Sequence, residues 1–230
     1  MAIHIEARDG YGVLTLDRQD RANAYDRHHL DALESGFLTL SETVQVVVIR
    51  AAGGGAFCGG ADLREMQSAT PDDARNLRSQ AVFDTIARSP TISIAAIDGA
   101  AVGGGCELAL AADIRIVGPS ARFRLPETSL GIIPAAGGCT RLQRLVGTSV
   151  AKQLILGGRT LSAESALRLG LAIQLADDPD QAAFALATEL AERDPEALRL
   201  AKAVIDRTAD EESLAAEREA QAQLYAKRNS

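Results

Sequence analysis

Residues 91–112 read TISIAAIDGAAVGGGCELALAA. Thr91 to Ile97 is a run of apolar side chains, the pattern of a strand buried on both faces. Asp98 to Gly103 reads as a turn of small residues. Gly104 to Ala112 has helix-forming composition, with one carboxylate, Glu107, among apolar neighbours. The same order occurs about 45 residues earlier, where the β-branched run Val44 to Arg50 ends in Ala51-Ala52-Gly53-Gly54-Gly55. Two successive units of strand, glycine turn and helix imply parallel packing and an α/β architecture that coils as ββα turns.

Working outward, Ile3 to Glu6 and Val13 to Asp17 flank Arg8-Asp9-Gly10 as a β-hairpin. Leu30, Leu33, Phe37 and Leu40 give His28 to Leu40 a helical period. The spacing predicts one helix from about Asp73 to Arg88. It predicts short strands at Asp113 to Val117 and Arg122 to Arg124, helices at Ser149 to Gly157 and Ser162 to Leu169, and a brief strand at Leu171 to Leu175. From Asp180 to Lys227 the chain is rich in Ala, Glu and Arg with helical periodicity, broken at Pro195 and around Asp210. The chain accordingly divides into a core, residues 1–175, and a C-terminal helical region, residues 176–230.

With 230 residues, 47% of them hydrophobic, the chain closes one large core without disulfides or a structural metal. A net charge of -7 argues against general nucleic-acid binding, and 3% aromatic residues with no Trp leave few stacking platforms. Neither a dinucleotide fingerprint, a phosphate loop nor a G-x-S-x-G elbow occurs. His4, His28 and His29 lack metal-ligand spacing and read as surface or packing residues. Cys58, Cys106 and Cys139 sit apart beside glycines, as small buried fillers in a reducing compartment. The first residues have no signal-peptide pattern, and charges interrupt the apolar stretch from Ile92 to Val117. A cytoplasmic protein with no membrane span is expected.

Gly103-Gly104-Gly105-Cys106-Glu107 stands at a strand-to-helix junction. Two uses of its glycines remain open: close packing of helix on sheet, or free N–H groups at the helix start, backed by the positive end of the helix dipole. A second glycine turn, Cys58-Gly59-Gly60-Ala61-Asp62, follows the neighbouring strand and offers a second set of donors. Two converging N–H groups form an oxyanion hole. Glu107 lies one turn into an apolar helix, where burial raises a carboxyl pKa toward neutrality. Glu127, after Leu125-Pro126 and before Leu130-Gly131-Ile132-Ile133-Pro134, is a second carboxylate in an apolar loop. Each taken singly reads as a surface residue or a salt-bridge partner. Together, beside an oxyanion hole, they are the parts needed to add water across an activated double bond.

From about Val13 to Leu175 the chain resembles the crotonase superfamily, also called the enoyl-CoA hydratase/isomerase family. The resemblance rests on Ala56-Phe57-Cys58-Gly59-Gly60-Ala61-Asp62-Leu63, on Gly103-Gly104-Gly105-Cys106-Glu107-Leu108, and on Leu125-Pro126-Glu127 continuing through Pro134 to Gly137-Gly138. Arg21-Ala22-Asn23-Ala24 is similar to the family's early loop near the nucleotide of coenzyme A. The resemblance implies a crotonase-like spiral of ββα repeats with a C-terminal helical trimerisation region, and a homo-oligomer that is a trimer or a dimer of trimers. It implies backbone N–H donors at Ala61 and Gly104, and catalytic acids at Glu107 and Glu127. A coenzyme A path would be lined by Ala22, Ala24, Ala61, Asp62, Leu63, Arg64 and Gly104. The partner is an acyl-CoA thioester, with coenzyme A as part of the substrate and neither a separate cofactor nor a metal.

Retention of both acids favours an enoyl-CoA hydratase. A Δ3,Δ2-enoyl-CoA isomerase, a biosynthetic (de)hydratase and a non-catalytic acyl-CoA-binding member are the alternatives. Two departures from the family pattern carry expectations of their own. Ala135 stands where hydratases usually have glycine, which implies strain if that position needs positive φ. The chain stops at Ser230 where relatives usually continue into another helix, which implies a more open or differently shaped acyl site. The amphipathic stretch Ser213 to Lys227 reads as a subunit contact or a solvated helix.

Overall fold

The computed structural model describes residues 2–62 and 70–207. β1 (Ala2–Ala7) and β2 (Gly12–Asp17) form the expected antiparallel hairpin. α1 (Arg27–Ser41) starts at Asp26, whose carboxylate accepts the His29 N–H at 3.1 Å, while the His29 ring accepts the Asp26 N–H. β3 (Val46–Ala51), β4 (Ile92–Ile97), β6 (Ile114–Val117) and β9 (Gln174–Leu175) add in parallel. The main sheet has the order β1-β2-β3-β4-β6-β9.

Strand periodicity divides the core between the two faces of this sheet. Leu14, Leu16, Val47, Ile49, Ala95 and Ile97 face one way, against Leu33 and Phe37 of α1, Val82, Phe83 and Ile86 of α3 (Arg78–Arg88), and Leu108 of α4 (Gly104–Ala111). Val13, Val46, Val48, Ile94 and Ala96 face the other way, against Ala183 and Ala187 of α8 (Pro179–Ala191). α9 (Pro195–Ile205) follows, so the expected break at Pro195 is the start of a helix capped by Asp194. Lys202 of α9 reaches Asp113 at 2.8 Å and the Thr91 carbonyl at 3.0 Å.

Three local expectations need correcting. Ala100 to Val102 belong to no simple turn: they form β5 of a second sheet with β7 (Arg122–Arg124) and β8 (Leu161–Ser162). Cys58 pairs with its other edge, donating to the Ala100 carbonyl at 3.1 Å and accepting from Val102 N–H at 2.9 Å. These small residues become a strand because partners on both sides satisfy their backbone. The helix expected from Asp73 to Arg88 is two, α2 (Pro71–Arg75) and α3, because Asn76 and Leu77 leave helical geometry. A helix absent from the sequence reading, α5 (Gly138–Val146), precedes α6 (Thr148–Gly157), and α7 is Ala163–Arg168. The expected break near Asp210 and the stretch Ser213 to Lys227 lie outside the described residues, as does the end of the chain on which the open acyl site was read.

Candidate active site

The first glycine turn is tied to Tyr25 by an isolated parallel bridge at Ala61. Tyr25 N–H donates to the Gly60 carbonyl at 2.8 Å, and Asp62 N–H donates to the Tyr25 carbonyl at 2.7 Å. A parallel bridge of this kind uses the groups before and after the central residue, so the N–H of Ala61 itself points away from Tyr25. The second turn leads into α4, whose first internal bond runs from Glu107 N–H to the Gly103 carbonyl at 3.0 Å. The N–H groups of Gly104, Gly105 and Cys106 are therefore the donors that a helix start leaves without an intrahelical acceptor.

The two turns pack against each other. A Cβ on Gly60 would lie 3.0 Å from Gly104 N, and one on Gly105 would overlap the Cys58 carbonyl. Close packing around these glycines, one of the two uses the sequence left open, is present, and it does not exclude the other.

Every residue of α4 is buried, and Glu107 retains only 4% of its surface. Its Oε1 accepts the Gly138 N–H at 2.8 Å, at the start of α5. Desolvation raises the Glu107 carboxyl to about 7, opposed by the backbone bond from Gly138 and reinforced by the nearby charge of Glu127. Glu127 opens a 3-10 turn, Glu127–Leu130, and is 7% exposed. Burial raises its carboxyl above the usual range as well. Its Oε1 lies over Gly103, 3.1 Å from where a Cβ would stand, and its Oε2 is buried with no hydrogen-bond partner among the described residues. A buried oxygen in that state is suited to meet a water or a substrate proton.

The turn before Gly138 is not strained at Ala135. Positive φ falls on Gly137, at 106°, and among the described non-glycine residues only on Ala22 and Asn23. The strain expected of alanine at this position is therefore absent. Gln80 Nε2 donates to the Ala135 carbonyl at 2.8 Å, and Arg141 Nη1 to the Ala136 carbonyl at 2.9 Å. Arg141 is in turn paired with Asp84 at 2.6 Å. This support for Glu107 was missed in the sequence, where no local pattern links Arg141 to a partner on α3.

The early loop also comes to the site. Ala22 accepts the Gly59 N–H at 2.8 Å, and the Ala24 carbonyl accepts Arg18 Nη1 at 2.9 Å. Arg18 Nη2 lies 3.5 Å from Asp62 Oδ2. Asn23, another residue missed from sequence, is buried: its Oδ1 accepts the Arg18 N–H at 2.6 Å and its Nδ2 donates to the Ala56 carbonyl at 2.8 Å. Leu63 and Arg64 lie outside the described residues. Cys58 and Cys106 are buried as expected, but Cys139 is exposed in the first turn of α5, next to the buried Gly138. Among the described residues no cluster of three or more His, Cys, Asp or Glu side chains could hold a metal, and no helix is long and apolar enough to cross a membrane.

Known proteins share this architecture. The family model described as Enoyl-CoA hydratase/isomerase matches residues 6–230. The chain is 42% identical over 201 residues to the probable enoyl-CoA hydratase 2, mitochondrial, of Arabidopsis thaliana, covering 84% of this chain and 66% of that one. It is 36% identical over 208 residues to the probable enoyl-CoA hydratase echA8 of Mycobacterium tuberculosis, covering 89% and 81%. The crystal structure of an enoyl-CoA hydratase from Bacillus anthracis superimposes with a TM-score of 0.90 at 34% identity, over 96% of this chain and 89% of that one.

Proposed function

The chain belongs to the enoyl-CoA hydratase/isomerase family, and from that premise we propose that it adds water across the 2,3-double bond of an enoyl-CoA thioester, giving a 3-hydroxyacyl-CoA. The thioester oxygen sits between the N–H groups of Ala61 and Gly104. As water attacks Cβ, negative charge moves to that oxygen, and preorganised donors stabilise the enolate; removing one such donor typically costs ~100 to 1000-fold in rate. Glu107 and Glu127 orient the water, take one of its protons and deliver a proton to Cα. The sum is one water added and both carboxyls returned to their starting state. The charge of Glu127 adds to the rise of the Glu107 carboxyl, so the titrations of the two acids are coupled.

The observation that carries this reading is the placement of two buried carboxyls against one glycine turn: Glu127 over Gly103, and Glu107 one turn into the helix that begins at Gly104. Ala22, Ala24 and Asp62 border the Ala61 loop and support a coenzyme A path there; Leu63 and Arg64 join it by family resemblance. A trimer or dimer of trimers is supported by Leu130, Ile132, Ile133 and Leu156, large apolar side chains left exposed beside the Glu127 turn. A cytoplasmic setting is consistent with three free cysteines.

Crotonyl-CoA tests the chemistry directly. The wild-type protein is expected to bleach the conjugated thioester absorbance, and Glu107→Gln and Glu127→Gln are each expected to lose ~100-fold or more in kcat. Undiminished hydration by either variant removes that residue from the mechanism. No bleaching by the wild type, with double-bond migration in a 3-enoyl-CoA, reassigns the site to isomerisation.

A further inference from the structure

Tyr25 touches both glycine turns. Its main chain brackets Ala61 through the Gly60 carbonyl and the Asp62 N–H, at 2.8 and 2.7 Å. Its side chain crosses to the other turn: a Cβ on Gly104 would fall onto the phenol hydroxyl and lie 2.8 Å from Cζ. Only glycine leaves room for the ring, so the edge of the phenol lies flush on the backbone of Gly104. The ring is itself fixed. It is buried, stands edge-on to Phe83 with centroids 5.9 Å apart and planes at 88°, and its hydroxyl lies within interaction range of the buried Ser79. Phe83 and Ser79 both belong to α3.

We propose that Tyr25 is a positioning residue that sets the separation of the Ala61 and Gly104 amides, acting as a rigid spacer between the loop that presents one and the helix that presents the other. This rests on the reading of those amides as the oxyanion hole. Donor geometry there is exacting, because a useful donor must stand about 2.7–3.1 Å from where the developing oxyanion will be. A flexible aliphatic side chain at position 25 could still fill core volume, but it could not hold Gly104 at a fixed distance from the pairing edge of Ala61. The hydroxyl contributes through Ser79, which stops the ring from tilting; it needs no contact with substrate.

The test uses Tyr25→Leu, Tyr25→Phe and Ser79→Ala in the full chain. Rates are followed with crotonyl-CoA. Carbonyl polarisation is read separately, as the red shift of cinnamoyl-CoA absorbance on binding. For folded Tyr25→Leu the expected result is a fall in kcat approaching the ~100-fold cost of a lost donor, with KM within about threefold of wild type and a diminished red shift. A general loss of packing would lower the melting temperature without splitting kcat from KM or moving the spectrum. If Tyr25→Leu does not fold, the milder pair decides. Tyr25→Phe and Ser79→Ala are each expected to reduce the red shift and to lower kcat several-fold, short of the ~100-fold cost of a lost donor. Wild-type red shift and kcat in the folded variants overturn the proposal. Absence of any red shift in the wild-type complex instead overturns the oxyanion-hole reading beneath it.

Discussion

Glu107 shows how one residue's surroundings convert composition into chemistry. A carboxylate in an apolar helix is visible in the sequence, and so is the expectation that burial raises its pKa. What the sequence leaves open is the counterweight, the Gly138 N–H at 2.8 Å. With desolvation as the larger effect, the carboxyl titrates near 7 instead of near 4.5. The folded state therefore holds a proton that the unfolded chain has released, and stability falls as pH rises between those values. The stabilisation is fully present below about pH 4.5 and lost by about pH 7, and it amounts to a few kcal/mol at about 1.4 kcal/mol per pKa unit. Glu107→Gln keeps an oxygen for Gly138 and removes the titration. Urea unfolding at several pH values should show the variant gaining on wild type from pH 5 to pH 8. A constant difference across that range would mean that Glu107 does not titrate there.

At the scale of elements, α4 depends on what meets its ends. Its start is pressed onto Cys58 and Tyr25; its end is held by Arg115, a buried guanidinium that donates to the Ala112 carbonyl at 2.5 Å, Ala109 at 3.2 Å, Asp113 at 3.1 Å and Leu171 at 2.6 Å. A helix leaves its last carbonyls unpaired, and here one cation satisfies several of them. Arg115→Met is expected to lower stability by about 2–4 kcal/mol, since buried carbonyls without donors each cost about 1–3 kcal/mol. The denaturation midpoint measures it, and a midpoint within error of wild type would show that water replaces the guanidinium at no cost. Strand β6 was legible as a short apolar run, but the inward course of Arg115 within it was not. Its acceptors are brought together by the fold.

For the whole molecule, the main sheet separates two tasks. One face carries α1, α3 and α4, and with them the site; the other carries α8, which buries Ala183 and Ala187 on β3, β4 and β6. The exposed apolar group at Leu130, Ile132, Ile133 and Leu156 lies beside the Glu127 turn, joined to it where Thr128 Oγ1 donates to the Ile155 carbonyl at 2.9 Å. A subunit contact there would couple assembly to the position of Glu127. Ile133→Glu should shift the mass measured by light scattering from trimer or hexamer toward monomer and reduce hydration with it. A wild-type protein that is monomeric at micromolar concentration would sink this expectation.

Read alone, the sequence determined the succession of strand, glycine turn and helix, the buried sheet, and both acids as candidates. Those features are written in local hydrophobic period and in polar residues placed among apolar ones. Tertiary structure alone decided that Ala100 to Val102 pair as a strand, that Gly138 meets Glu107 across 31 positions, that Arg141 and Gln80 support that turn, and that Tyr25 spans the two glycine loops. Each of these is a pairing between distant segments, and a hydrogen-bond partner or a close approach leaves no periodic trace in the chain that supplies only one side of it.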